Sequence, residues 1–246
     1  MIISRLLWHL KHVNISPMKN DKGIINEIFL DGSARIDCPP ELIPAPGQYL
    51  LAHAAASDSP IADSVFFSRS APNGFVAAAP LPNSWTPGWS LDLRGPLGHG
   101  FSIPASARRI ALIAFDDSPA RLHGLIPLAL KQNAEVVLLC DSPAKDLPEV
   151  VEVQPLQAMQ EILHWADYAA VDVARENLNQ LREKMREQNQ GKAHPERQSK
   201  GEAQVLIRTQ MPCGALAECG VCAVVDQHQW KIVCKDGPVF DWKELI

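Results

Sequence analysis

From about Ile15 to Phe101 the chain sets short apolar runs between clusters of turn-forming residues. The runs are Ile24–Leu30, Ala34–Ile36, Tyr49–His53, Val65–Phe67 and Phe75–Ala78, and Gly, Pro, Asp and Asn separate them. Some six strands at this spacing predict a small antiparallel β-barrel. From Ala107 the pattern becomes an alternation of strand and helix. RRIALIAF (108–115), AEVVLLCD (134–141), Val151–Val153 and Tyr168–Val173 read as strands, and Pro119–Lys131 and Met159–Trp165 as helices. Asp117, Ser118 and Pro119 supply a polar cap followed by proline in the first turn. Such alternation predicts a parallel sheet with helices on its faces. Glu176–Gly201 is highly charged: a solvated helix with i,i+4 charge pairs, then a polar linker around Gly191 and Pro195. AQVLIRTQ (203–210) is a last strand that leads into the C-terminal segment.

The fold class expected from this layout is α+β multidomain, with an N-terminal extension (1–23), a β-barrel (24–104) and an α/β domain (105–187). A linker (188–203) and a small C-terminal domain (204–246) complete it. A chain of 246 residues is long enough for two compact domains and an appendage. A net charge of −5 without a basic block argues against nucleic acid. No apolar run approaches the about 18 residues of a membrane span. The opening MIISRLLWHLKHV is broken by Arg, His and Lys and lacks a small-residue cleavage site, so it reads as an extension rather than a signal peptide. The expected location is the cytoplasm, which suits reduced thiols.

Chemistry concentrates in the last 36 residues, Met211–Ile246, which hold four of the six cysteines in the spacing C-x5-C-x2-C-x11-C: Cys213, Cys219, Cys222 and Cys234. Thiolates are soft ligands that select iron–sulfur clusters, zinc or copper. Three ligands in one loop and a fourth arriving alone approximate the C-x4-C-x2-C…C run that holds a [2Fe–2S] cluster. Structural zinc sites draw on paired short C-x2-4-C units, and buried cysteines without metal are the third reading. Cys38, followed by two prolines, and Cys140, at a strand end, read as small hydrophobes. His194 and His228 lack a partner at ligand spacing and read as surface residues.

The run MPCG…ECGVCAV…VCKDGPVFDWKEL resembles the C-terminal iron–sulfur domain of the dihydroorotate dehydrogenase (B type) electron-transfer subunit. Met211, Cys213, Gly214, Cys219, Cys222 and Val233–Phe240 follow that domain's pattern. One residue is inserted between the first two cysteines and the middle glycine is gone. PAPGQYLLA (44–52) is similar to the PGQF/Y strand of the flavin-binding barrel in the ferredoxin-reductase-like superfamily, and LDLRGPLGHGF (91–101) to the segment that ends it. Gly95, Gly98 and Gly100 there are free to take positive φ. The resemblance implies a [2Fe–2S] cluster on the four cysteines, a catalytic dihydroorotate dehydrogenase subunit as flavoenzyme partner, and a hetero-oligomer. Trp230 and Trp242 are expected to shield the cluster.

The family's flavin and nucleotide motifs are altered. In place of an Arg-x-x-Ser strand followed by a GxGT turn, residues 65–88 read VFFSRSAPNGFVAAAPLPNSWTPG. Arg69 and Ser70 are the candidate FAD contacts that remain. In place of a glycine-rich turn for the NAD pyrophosphate, residues 114–124 read AFDDSPARLHG. Asp116 and Asp117 put carboxylates where a phosphate would lie, at a cost of about 4 kcal/mol for a ~4 Å approach, and Phe115 fills space that glycine leaves open. The Cys-Gly-Pro turn expected near nicotinamide is replaced by ADYAAVDVAREN (166–177). NAD is not expected. The leading expectation is an electron-transfer subunit without a substrate-converting site of its own. A zinc-bearing scaffold and a complete FAD- and NAD-linked reductase with diverged motifs are the alternatives.

Overall fold

The structure is a computed structural model, and the residues described are 19–116, 118–144, 146–190, 201–225 and 229–245. Strands β1 (Lys19–Ile28), β2 (Ala34–Asp37), β3 (Tyr49–Ala54), β4 (Asp63–Ala71), β5 (Gly74–Ala77) and β6 (Ser90–Leu97) close an antiparallel barrel in the order β1-β2-β5-β4-β3-β6. Period-two alternation fills it: Ile25, Ile36, Leu50, Ala52, Val65, Phe75, Leu91 and Leu93 form its interior. Tyr49 and Leu51 lie on the other face of β3 and pack outward, in the same core as the C-terminal segment. The barrel begins earlier than expected, because Lys19–Gly23 belong to β1 rather than to an extension. This end of the strand is polar and mostly exposed, held by its ladder to β6 from Lys19↔Gly95 to Ile24↔Ser90, so no apolar run announces it.

The second sheet contains β7 (Arg109–Ala114), β8 (Glu135–Leu139), β9 (Val151–Gln154), β10 (Tyr168–Ala174) and β11 (Glu202–Arg208). It also takes in β14 (Val239–Asp241), and its order is β14-β11-β10-β7-β8-β9. All neighbours are parallel except β14, which pairs antiparallel with β11. Both faces are buried, as a parallel sheet requires. Ile110, Leu112, Val136, Leu138 and Ala170 face one core with α1 (Ile126–Lys131). Ile113, Val137, Leu139, Val171 and Val173 face the other, with α2 (Met159–Trp165) and α3 (Leu178–Gln190). The division expected at residue 204 falls inside β11, so the C-terminal segment shares its sheet with the α/β layer. A two-stranded hairpin, β12 (Ala223–Val225) and β13 (Trp230–Ile232), and the single turns α4 (Val233–Asp236) and α5 (Trp242–Leu245) complete the chain.

The helix expected over Pro119–Lys131 is broken into 3-10 turns at Pro119–Arg121 and His123–Leu125 before α1 starts. Pro127 cannot donate to a preceding turn, so the α-helix restarts with proline near its N-terminus. The Ser118 hydroxyl accepts from the Ala120 N–H at 3.3 Å, as its capping position predicts. Among the described residues no helix is long and apolar enough to cross a membrane.

Candidate metal centre

Cys213, Cys219 and Cys222 come from the loop between β11 and β12, and Cys234 from α4. The loop curls through left-handed backbone at Gly214 (φ +55°), Ala215 (+70°), Ala217 (+59°) and Gly220 (+68°). A Cβ on Gly214 would lie 2.1 Å from Leu51 Cδ1, so only glycine brings the loop against the barrel wall. The inserted residue and lost glycine therefore leave two alanines in a region that L-residues avoid.

The structure brings the four cysteines together. Cys222 and Cys234 are fully buried, Cys213 is half-buried and Cys219 is exposed. Cys213 Sγ lies 3.8 Å from Cys234 Sγ, about the separation of two thiolates on one tetrahedral metal atom with ~2.3 Å bonds. Further side-chain contacts join Cys213 to Cys219 and Cys234 to Cys222. The sulfurs thus connect in the order 219, 213, 234, 222. The backbone N–H of Cys234 also points to Cys222 Sγ at 3.4 Å. Burial raises the Cys213 pKa, but hydrogen bonds from the Cys219 thiol and the backbone at Cys219 and Glu218 outweigh it and set the value at about 7. Burial and then neighbouring Cys222 push Cys234 up to about 12. Metal binding needs thiolates, so loading releases protons. Among the described residues no three His, Cys, Asp or Glu side chains converge as a site for one ion.

Several side chains hold this arrangement. The Tyr49 hydroxyl, from β3, donates to the Cys234 carbonyl at 3.1 Å. Arg175 donates to the Val221 carbonyl, next to Cys222. Arg182, on α3, donates to the carbonyls of Leu245 (2.8 Å) and Val225 (2.6 Å). The two family-like phrases meet each other: the His99 N–H donates to the Gly237 carbonyl at 2.7 Å. A Cβ on Gly98 (φ +74°) would sit 2.4 Å from Pro238 Cδ. Of the glycines expected to take positive φ, Gly95 and Gly98 do and Gly100 does not. Sequence reasoning missed Tyr49, Arg175 and Arg182; only the tyrosine had a signal, its place in the PGQY phrase.

Trp242 is half-buried against the core, and Trp230 is 67% exposed. Trp230 belongs to a set of exposed apolar side chains on the cysteine loop and its hairpin, with Leu216, Val221 and Val225. A cavity of about 640 Å³ opens beside Cys213, lined by Lys22, Leu51, His53, Arg94 and Pro212 among others. His194 and His228 lie outside the described residues. Cys38 and Cys140 sit apart from the centre, and burial raises the thiol pKa of each.

The flavin candidates are not brought together. Arg69 and Ser70 are consecutive in β4, so their side chains leave opposite faces of the strand. The Arg69 guanidinium lies over the Phe29 ring, 5.4 Å from its centroid, and faces the Asp146 carboxylate at 3.8 Å. The two side chains therefore do not converge on one site.

The nucleotide crevice of a doubly wound sheet lies at the carboxyl ends of the strands where strand order reverses, here between β7 and β10. Side chains of the protein fill it. Asp172, 1% exposed, faces Arg208 Nε at 2.7 Å and Arg121 Nη1 at 3.3 Å. Arg121 also donates to the Ala79 carbonyl in the barrel. Asp116 pairs with Arg208 and accepts from Ala174 N–H and Asn177 Nδ2, both at 2.8 Å. The expected repulsion between Asp116 and a phosphate needs correcting, since Arg208 balances this carboxylate. The obstacle is the occupied space, to which buried Phe115 adds. Asp117 lies outside the described residues. The residues present do not fit a pyridine nucleotide.

Residues 209–246 match the family model for the iron–sulfur cluster binding domain of dihydroorotate dehydrogenase B. The gamma subunit of sulfhydrogenase 1 from Pyrococcus furiosus is 40% identical over 42 residues, which are 17% of this chain and 14% of that subunit. The chain thus spans about a seventh of the curated relative it matches. Over the whole fold, an NADH-dependent reduced ferredoxin–NADP oxidoreductase matches with a TM-score of 0.69 at 15% identity, over 91% of this chain and 89% of that one. The ferredoxin reductase of carbazole 1,9a-dioxygenase matches with a TM-score of 0.56 at 16% identity, over 71% and 65%. These likenesses establish a ferredoxin-reductase-like fold, and the family match places an iron–sulfur binding domain at its end. The chain accordingly carries, on a ferredoxin-reductase-like fold, a C-terminal segment that matches the iron–sulfur cluster binding domain of dihydroorotate dehydrogenase B.

Proposed function

We propose that this protein carries a [2Fe–2S] cluster on Cys213, Cys219, Cys222 and Cys234. It passes single electrons to or from a flavoenzyme partner such as a dihydroorotate dehydrogenase catalytic subunit. The observation that carries the reading is the connected chain of four sulfurs, two of them fully buried and one at the surface. Buried ligands keep water from the metal, and an exposed ligand leaves a short path for an electron to leave the molecule. The cluster, when bound, supplies one-electron redox chemistry. The chain's own residues hold the thiolates, supply an N–H to Cys222 Sγ and brace the loop through Arg175.

The partner reading draws on the exposed Leu216, Val221, Val225 and Trp230 beside Cys219. An apolar patch next to a redox centre suits a subunit interface that excludes water. The sulfhydrogenase relative is itself named as a subunit. With the nucleotide crevice filled and Arg69 and Ser70 diverging, we infer that electrons do not enter through NAD, and no step is assigned to a flavin of this chain. The free cysteines suit a reducing cytoplasm.

Anaerobic purification, metal analysis and EPR after dithionite test this reading. The expected result is two irons per chain and a rhombic signal that a Cys222→Ser variant loses. Zinc without iron would overturn it in favour of a scaffold, and stoichiometric FAD bleached by NADH would favour a complete reductase.

A further inference from the structure

Tyr49 stands out among groups outside the cysteine set. It is fully buried at the start of β3, its ring lies 6.0 Å from that of Phe66, and its hydroxyl donates to the carbonyl of Cys234 at 3.1 Å. That bond joins the barrel to the backbone of one metal ligand across 185 residues of sequence. The neighbouring backbone is fixed by other groups: Gly237 by the His99 N–H, and the Asp236 carbonyl by His99 Nδ1 at 3.1 Å. The turn would thus keep its place without the tyrosine hydroxyl.

We propose that Tyr49 is a positioning residue for the redox centre, its hydroxyl setting the electrostatics at Cys234 and raising the midpoint potential of the group the four cysteines hold. The inference rests on the electron-transfer reading above. Its physical basis is the direction of the dipole. A hydroxyl hydrogen aimed at the Cys234 carbonyl places positive charge beside a buried ligand, where little water screens it. An added electron is stabilised more than the oxidised state, so the potential rises. Hydrogen bonding and burial are established levers on iron–sulfur potentials.

The chain has only two tyrosines, which provides an internal control. Tyr168 is equally buried and donates to Gln204 Oε1 at 2.7 Å, but its charged neighbours are Asp241 and Glu202 rather than cysteines. Tyr49→Phe and Tyr168→Phe each lose one buried hydroxyl bond, yet only the first loses it at a ligand. EPR-monitored potentiometric titration of the full anaerobic protein, with iron content measured in parallel, separates them. The expected result is full iron content in both, a lower midpoint potential in Tyr49→Phe and an unchanged one in Tyr168→Phe. Fluorotyrosine incorporated into the Tyr168→Phe protein alters Tyr49 alone; as a stronger donor of the same shape it moves the potential upward, and it serves if Tyr49→Phe fails to fold. A wild-type centre whose potential ignores both changes overturns this inference alone. A wild-type chain that binds no iron overturns the electron-transfer reading, and this inference with it.

Discussion

Ala215 and Ala217 show how a single inserted residue is absorbed. Both hold positive φ in a loop whose family pattern supplies a glycine, and a left-handed alanine costs roughly 1–2 kcal/mol. Glycine at either position gives back about half of that gain through its greater unfolded freedom. Ala217→Gly is therefore expected to stabilise the metal-free protein by roughly 0.5–1 kcal/mol in urea unfolding, without loss of iron binding. The candidate ligand set was legible because four soft side chains within 22 residues have few other reasons to cluster. The burial order of the four was not legible. It depends on Leu51 and Tyr49, which arrive from the barrel.

The sheet elements depend on contacts that sequence pattern shows unevenly. β7 and β8 carry apolar runs, as does β10 apart from Asp172, and all three were readable as buried strands. β14 is three residues long, and pairing with β11 makes it a strand, so no pattern marks it. One polar group organises the start of this sheet: Asp167, before β10, accepts from the backbone N–H of Arg108 (3.1 Å) and Arg109 (3.0 Å) and from Arg109 Nη2 (2.7 Å). The Arg109 guanidinium bond, followed by the backbone bonds, outweighs desolvation and holds the Asp167 carboxyl below its ordinary value. A carboxyl whose folded pKa lies below its unfolded value of about 4 stabilises the fold fully at neutral pH and loses that contribution as pH falls through the folded value. Asp167→Asn should therefore be less stable than wild type at pH 7, and the difference should shrink below about pH 4. Thermal melts across that range measure it.

Across the whole molecule, the four-residue ion network links β10, β11 and the first turn after β7, and reaches the barrel at Ala79. Breaking a buried ion pair from one side leaves uncompensated charge and costs about 3–5 kcal/mol. Asp172→Ala, which leaves two guanidinium groups facing an empty site, should lose stability of that order in chemical denaturation. NADH should produce no binding heat in calorimetry with the wild-type protein, because Phe115, Arg121 and Asp172 occupy the crevice. Asp172 did leave a trace in the sequence, as a lone carboxylate inside the apolar run YAAVDVA. Its partners did not, since Arg121 and Arg208 are 87 residues apart and each resembles an ordinary surface charge.

The chain's own pattern determined the strand-rich first part, the alternating second part and the four candidate ligands, because periodicity and ligand chemistry are local properties. It also determined that the family's flavin and nucleotide turns are altered, since those motifs are contiguous. Tertiary structure alone decided what replaced them: a balanced ion network in place of repelling carboxylates, an arginine turned toward Phe29 and Asp146, and a tyrosine hydroxyl on the Cys234 carbonyl. Each of these joins residues far apart in sequence, and the energy of a buried charge or hydrogen bond depends on the partner that folding delivers.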